Sequence, residues 1–180
     1  MADMQKFEVF ILQYEKFIYN IAFRVMGNVE DAKDITQEVA VKIYRNFDDV
    51  TAIEHVRAWV ARITHNTCMD ELRRRKGKQA VSYDELIDLG GGEAVYQQTA
   101  DTAEEPEALL LRKEVAGHIE EGLRRLSDEH RALIVLRDVQ GLSYEEIAKA
   151  TGAPLGTVKS RISRGRQNLQ RILIKLMEQI

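Results

Sequence analysis

Gly141-Leu142-Ser143-Tyr144-Glu145-Glu146-Ile147-Ala148, then Thr151-Gly152-Ala153-Pro154 and Gly156-Thr157-Val158-Lys159-Ser160-Arg161, is the stretch on which the fold turns. Ser143 and Glu146 stand three apart, the spacing of a capping box in which each side chain satisfies the other's backbone amide. A helix therefore starts at Tyr144. Gly152 supplies the left-handed residue that stops it, and Pro154, lacking an amide hydrogen, opens the next. Two helices about a short glycine-containing turn make a helix-turn-helix unit.

The helix after the turn has two faces. Leu155, Val158, Ile162, Gly165, Leu169, Ile172 and Leu176 form one stripe. At 100° per residue, Ser160, Ser163, Arg164 and Gln167 fall about 140–240° away. Lys159, Arg161, Arg164, Arg166, Arg171 and Lys175 give the helix its positive charge, and no acid lies between Leu155 and Lys175. Such a bias costs self-repulsion unless a polyanion relieves it. Hydroxyls, an amide and guanidinium groups on the outward side suit base edges and phosphates in a major groove.

Upstream, Leu111, Val115, Ile119, Leu123 and Leu126 recur at helical steps. Ser127 is placed to cap the next helix. Ala132-Leu133-Ile134-Val135-Leu136 is apolar on every side and so belongs between neighbours, with Gly141 closing the segment. Residues 109–180 thus read as a four-helix domain.

Residues 1–77 read as a second helical bundle. Phe7, Phe10, Ile11, Tyr14, Phe17, Ile18, Ile21 and Val25 make one apolar stripe, ended near Gly27-Asn28. The next helix, about 29–46, buries Ala32, Ile35, Val39 and Ile43, which leaves Asp34, Gln37, Glu38 and Val41 outward. By itself that outward face is a solvated one. A loop, Phe47 to Thr51, leads to a third helix with Val56, Val60, Ile63 and Thr67 inward and Arg62, Asn66, Met69 and Arg73 beside them. Trp59 belongs with the core, given Val56, Val60 and Ile63 around it. The run Arg73-Arg74-Arg75-Lys76 is an anion-facing patch or a solvated helix end, where positive charge suits the macrodipole.

Charge separates the parts. The chain of 180 residues has a net charge of −3. Residues 1–77 carry 12 basic and 12 acidic side chains, residues 78–108 carry 1 and 8, and residues 109–180 carry 13 and 9. The middle segment, with Gly90-Gly91-Gly92 and no sustained period, reads as a flexible acidic linker. As a free coil it spans roughly 30 Å, and fully stretched about 105 Å. The architecture expected is all-α, two small helical domains on a tether.

These motifs together resemble the extracytoplasmic-function group of alternative sigma factors of bacterial RNA polymerase. The helix-turn-helix is similar to the C-terminal one of that group. Asp31-Ala32-Lys33-Asp34-Ile35-Thr36-Gln37-Glu38 is similar to its polymerase-docking helix, and Trp59 through Asn66, Asp70 and Arg73-Arg74 to its promoter-melting segment. Three motifs in order make the likeness specific; the helix-turn-helix alone, shared with response-regulator output domains, would not.

The resemblance implies roles. Asp34, Gln37, Glu38 and Val41 would bind the polymerase clamp. Asn66, with the loop beginning at Phe47, would hold a base flipped from the non-template strand, and Arg73, Arg74 and Arg75 would meet nearby phosphates. Unstacking a base costs a few kcal/mol, which such a pocket offsets. Lys159, Ser160, Ser163 and Arg164 would read the minus-35 element, with Thr157 and Arg161 on phosphates. Serine is an unselective reader, so Arg164 would carry most of the discrimination, about 1–3 kcal/mol for a good bidentate pair. Core RNA polymerase, through its clamp and flap, promoter DNA and an anti-sigma factor are the implied partners. The linker's acids would occupy channels built for nucleic acid.

Other classes fit poorly. None of His55, His65, His118 and His130 follows a glutamate by three residues, so the di-iron pattern is absent. His65 and Cys68 lack a second ligand pair, and Gly152 to Ser160 lacks the Gly-Lys-Ser of a phosphate loop. No metal, cofactor or catalysis is expected. One cysteine, no apolar run of membrane-spanning length and no signal-peptide pattern point to a cytoplasmic protein without membrane insertion. The rival reading is a stand-alone operator-binding regulator using the same helix-turn-helix.

Overall fold

The computed structural model describes residues 2–47, 53–79 and 106–178. They contain α1 (Ala2–Met26), α2 (Val29–Arg45), α3 (Val56–Gln79), α4 (Pro106–Arg124), α5 (Asp128–Ile134), α6 (Tyr144–Thr151) and α7 (Leu155–Met177), with no strand among them. The expected tether lies almost wholly outside the described residues, and α4 begins three residues before the expected boundary at 109.

Each helix end has a local cause. Gly27 ends α1 at φ 84°, and Asn28 then caps α2 by accepting the Asp31 amide. Ser127 caps α5 through the His130 amide. Beyond α5, residues Val135–Val139 form a π-helical turn in which the Gln140 amide reaches the Val135 carbonyl at 2.9 Å. Gly141 follows at φ 72°, as the left-handed cap expected there.

Most of the stripes read from the sequence pack, but Val115 and Ile119 of the α4 stripe are 48% and 40% exposed and Leu155 at the start of α7 is 36% exposed. α2 buries Ala32, Ile35, Val39 and Ile43 against α1 and α3. Full burial of an isoleucine such as Ile43 is worth about 1.5–3 kcal/mol. Ala132 through Leu136 are all buried, as a run without a polar side requires. Trp59 is half-buried against the core, in agreement with a packing role.

The two halves do not stand apart. One hydrophobic cluster runs from Ile18 and Val25 of α1 through Leu133 and Leu136 to Val158 and Ile162 of α7. α3 packs on α6, and α1 on α4 and α5. Polar contacts fasten the seam: Arg57 donates to the Gln140 carbonyl at 2.6 Å while its guanidinium lies 5.0 Å from the Phe17 ring centre. Arg24 pairs with Glu120 at 3.1 Å and Lys76 with Asp128 at 2.6 Å. Sequence periodicity reports which side of a helix is apolar, not which neighbour covers it, so this seam was invisible there.

Candidate nucleic-acid interface

α6 and α7 are joined by a short turn whose ends have local causes. The Ser143 hydroxyl accepts the Glu146 amide at 3.1 Å, and a Glu146 carboxylate oxygen accepts the Ser143 amide at 2.7 Å. That amide holds the Glu146 carboxyl below its ordinary range, against the opposing effect of burial. Gly152 closes α6 at φ 71°, and Pro154 precedes the first residue of α7. Val158, Ile162 and Gly165 face inward. A Cβ on Gly165 would lie 3.3 Å from Ile134 Cγ1, so glycine lets α7 approach α5 closely.

With that face inward, Lys159, Ser160, Ser163, Arg164 and Gln167 are exposed together along the outside of α7. Thr157 is half-buried at the edge of this ridge, and its carbonyl accepts the Ser160 hydroxyl at 3.0 Å.

The six cations of α7 fall into different settings. Arg161 is ion-paired with Glu129 and Arg166 is bidentate on Asp138. Lys159 lies 5.7 Å from the Tyr144 ring centre, and Arg137 lies 4.5 Å from the same ring. Arg164, Arg171 and Lys175 have no partner among the described residues. Part of the self-repulsion inferred from the acid-free sequence is thus relieved within the protein, by acids on other helices. No spacing rule could have found Glu129 or Asp138, because they meet α7 only through the fold.

A second face lies on α2. Asp34, Gln37 and Glu38 are exposed, and Val41 is 49% exposed. Glu38 pairs with Lys42 at 2.7 Å, whose ammonium also reaches the Thr67 hydroxyl at 3.0 Å. Tyr44, three residues beyond Val41 and 48% exposed, extends the apolar spot. Helical spacing alone would have added it.

On α3, Asn66 is exposed, with its side-chain oxygen 3.2 Å from His65 Nδ1. Burial lowers the His65 pKa, which favours the neutral ring. The arginine run is divided by packing. Arg73 pairs with Asp70 at 3.1 Å and Arg74 forks onto Glu71, both exposed. Arg75, its side chain 41% exposed, reaches across to α2, bidentate on Asp31 and also bonded to Glu71 at 2.8 Å. Arg74 first, and Arg75 after it, hold the Glu71 carboxyl down to about 2. Arg75 thereby ties α3 to α2, a setting apart from the exposed Arg73 and Arg74.

Phe47 is half-buried, edge-to-face with Phe7 at 5.4 Å and with Phe10 at 5.5 Å. Its ring belongs to an aromatic cluster on α1; the rest of the loop it begins lies outside the described residues. Among the described residues no group of three or more His, Cys, Asp or Glu could hold a metal ion. Cys68 is buried, and burial pushes its thiol up to about 12, so it is a poor nucleophile.

A capped helix-turn-helix with a cationic ridge, packed on a second bundle that carries its own exposed acid-amide-valine face, defines a two-module helix-turn-helix protein. The Sigma-70 region 2 family model matches residues 10–78 and the Sigma-70 region 4 model residues 118–169. The ECF RNA polymerase sigma factor SigW of Bacillus subtilis is 32% identical over 96% of this chain and 91% of its own length. The ECF RNA polymerase sigma factor SigE of Mycolicibacterium smegmatis is 33% identical over 97% of this chain, which spans 64% of that longer protein. In fold, the chain resembles the sigma factor RpoE of Bartonella quintana, solved in complex with the anti-sigma factor NepR. That match has a TM-score of 0.69 and 23% identity over 94% of this chain and 97% of the other.

The chain belongs to the extracytoplasmic-function group of RNA polymerase sigma factors in the sigma-70 family.

Proposed function

We propose that this protein directs core RNA polymerase to promoters: residues 1–77 bind the clamp and act at the minus-10 element, and residues 109–180 read the minus-35 element. The observation that carries this is the exposed ridge of Lys159, Ser160, Ser163 and Arg164 on a helix whose other face is buried. Arg164, unpaired at the C-terminal end of that ridge, is the discriminating contact. Asp34, Gln37, Glu38 and Val41 dock on the polymerase as an apolar spot rimmed by polar anchors. Asn66 takes the flipped base, and Arg73 and Arg74 hold phosphates beside it. The protein performs no catalysis itself, works in the cytoplasm, and is restrained by an anti-sigma factor.

Simultaneous use of both elements requires the halves to separate. Sites 25 base pairs apart lie about 85 Å apart on straight DNA, whereas helices in contact, such as α3 and α6, lie about 8–10 Å apart. Opening the seam at Arg57–Gln140 and Arg24–Glu120 is thus part of holoenzyme assembly, and the acidic linker is long enough to permit it.

The test is transcription from a matched promoter with added core polymerase. Core-dependent initiation, with permanganate-reactive thymines around the start site that Asn66→Ala removes while sparing closed-complex binding, is the expected result. Tight promoter binding without core, and no recovery of core polymerase with the protein, would instead favour an operator-binding regulator.

A further inference from the structure

Beyond the base-reading end of α7, a cavity of about 490 Å³ opens where α4, α5 and α7 meet. Arg125, Ser127, His130, Asn168, Arg171 and Lys175 line it, and no acid does. Asn168, Arg171 and Lys175 lie within about 40° of Arg164 around the helix, with Arg171 about 10 Å and Lys175 about 17 Å further along it. The cavity thus continues the exposed ridge.

Its charge is unbalanced. Arg125 uses Nε on Glu121 at 2.8 Å, but that carboxylate also serves Arg124 at 2.9 Å. Arg171 and Lys175 have no partner among the described residues. The contrast on the same helix is direct, since Arg161 and Arg166 are each met by an acid from a neighbouring helix. Holding three cations around one cleft is unfavourable unless an anion shares it. Guanidinium forks and an ammonium, with hydroxyl and amide donors beside them, match the several oxygens of a phosphate.

We propose that this cavity is a phosphate-binding site, with Arg171 and Lys175 as its principal ligands and Arg125 and Asn168 completing it. Two sources supply that chemistry: the promoter backbone beyond the minus-35 element, which rests on the function proposed above, or a free phosphate compound, which does not.

The decisive variant is R171Q/K175Q in the full chain, with retained folding checked by circular dichroism; both side chains are exposed. Holoenzyme binding to promoter DNA is titrated against salt, with R164A as control, and inorganic phosphate and pyrophosphate are titrated onto the free protein by nuclear magnetic resonance. If DNA fills the cavity, the slope of log affinity against log salt falls by about 1.8 for two lost phosphates, with base preference unchanged. If a free phosphate fills it, the slope stays, while pyrophosphate shifts His130 and Asn168 resonances in the parent and not in the variant. An unchanged slope together with no pyrophosphate-dependent shift overturns the site. Should R164A also leave promoter preference untouched, the proposed function fails as well, and the phosphate titration still decides the cavity.

Discussion

Arg131 donates through Nη1 to the carbonyl of Val25 at 2.7 Å, joining α5 to the last turn of α1. Arg131 as a whole is 8% exposed, and its guanidinium also reaches the Leu126 carbonyl at 3.1 Å and Asp128 at 3.1 Å. Burial disfavours its charge and lowers its pKa, with Asp128 opposing that effect. A helix C-terminus is where a cation is favoured, so the contact pairs an α1 end that lacks amide donors with a donor that lacks water.

Arg131→Ala leaves those carbonyls unpaired in a buried seam and should destabilise the folded chain by about 2–4 kcal/mol. Urea unfolding at neutral pH measures it. Arg131→Lys restores the charge but not the fork, and should recover less than half of the loss. A variant as stable as the parent would mean the seam is not fastened there.

Stability should fall in acid through Asp31 and Glu71. Both carboxyls sit below their ordinary pKa, Asp31 because of Arg75 and Glu71 at about 2 because of Arg74 and then Arg75. A depressed carboxyl stabilises the fold fully above its unfolded pKa and loses that contribution as pH falls through the folded one. The loss should therefore run from about pH 5 down to about pH 2. Urea midpoints across that window should decline more gently in Glu71→Gln than in the parent.

Arg164→Ala and Glu129→Gln should act in opposite ways on promoter binding. Removing Arg164 relaxes base preference by about 1–3 kcal/mol at one position. Glu129→Gln releases Arg161 from an exposed ion pair worth about 0.2–1 kcal/mol. It should raise affinity by that amount for every sequence alike and steepen the salt dependence. Arg161→Ala should lower affinity uniformly and flatten it. Equal changes in preference from Arg164→Ala and Arg161→Ala would reverse the assignment of the two faces.

Asp34→Lys should abolish recovery of core polymerase without shifting the thermal midpoint by more than about 2 °C. Its side chain is exposed on α2, and substitutions at such sites change stability by about 0.5 kcal/mol or less. A pull-down from bacterial lysate and a melting curve together check it.

The amino-acid sequence by itself determined the helices, most of their ends and the buried stripe of α2, though not the exposure of Val115 and Ile119 on α4 or the π-helical turn at Val135–Val139. Caps and periodicity are local: Ser143 and Glu146 find each other within one turn of chain, and Ile35, Val39 and Ile43 share a face because α-helices repeat every 3.6 residues. The outward ridges at Ser160–Arg164 and Asp34–Val41 followed as the remainder of those faces. Only the tertiary structure decided which side chains outside those ridges are met by partners from other helices. Arg75 is bound to Asp31 across 44 positions and Arg166 to Asp138 across 28, and Phe47 is held among aromatic rings of α1. The docking of α3 on α6 belongs to the same class. An ion pair or a packed ring depends on distance in space, which chain spacing fixes within a helix and leaves open between helices.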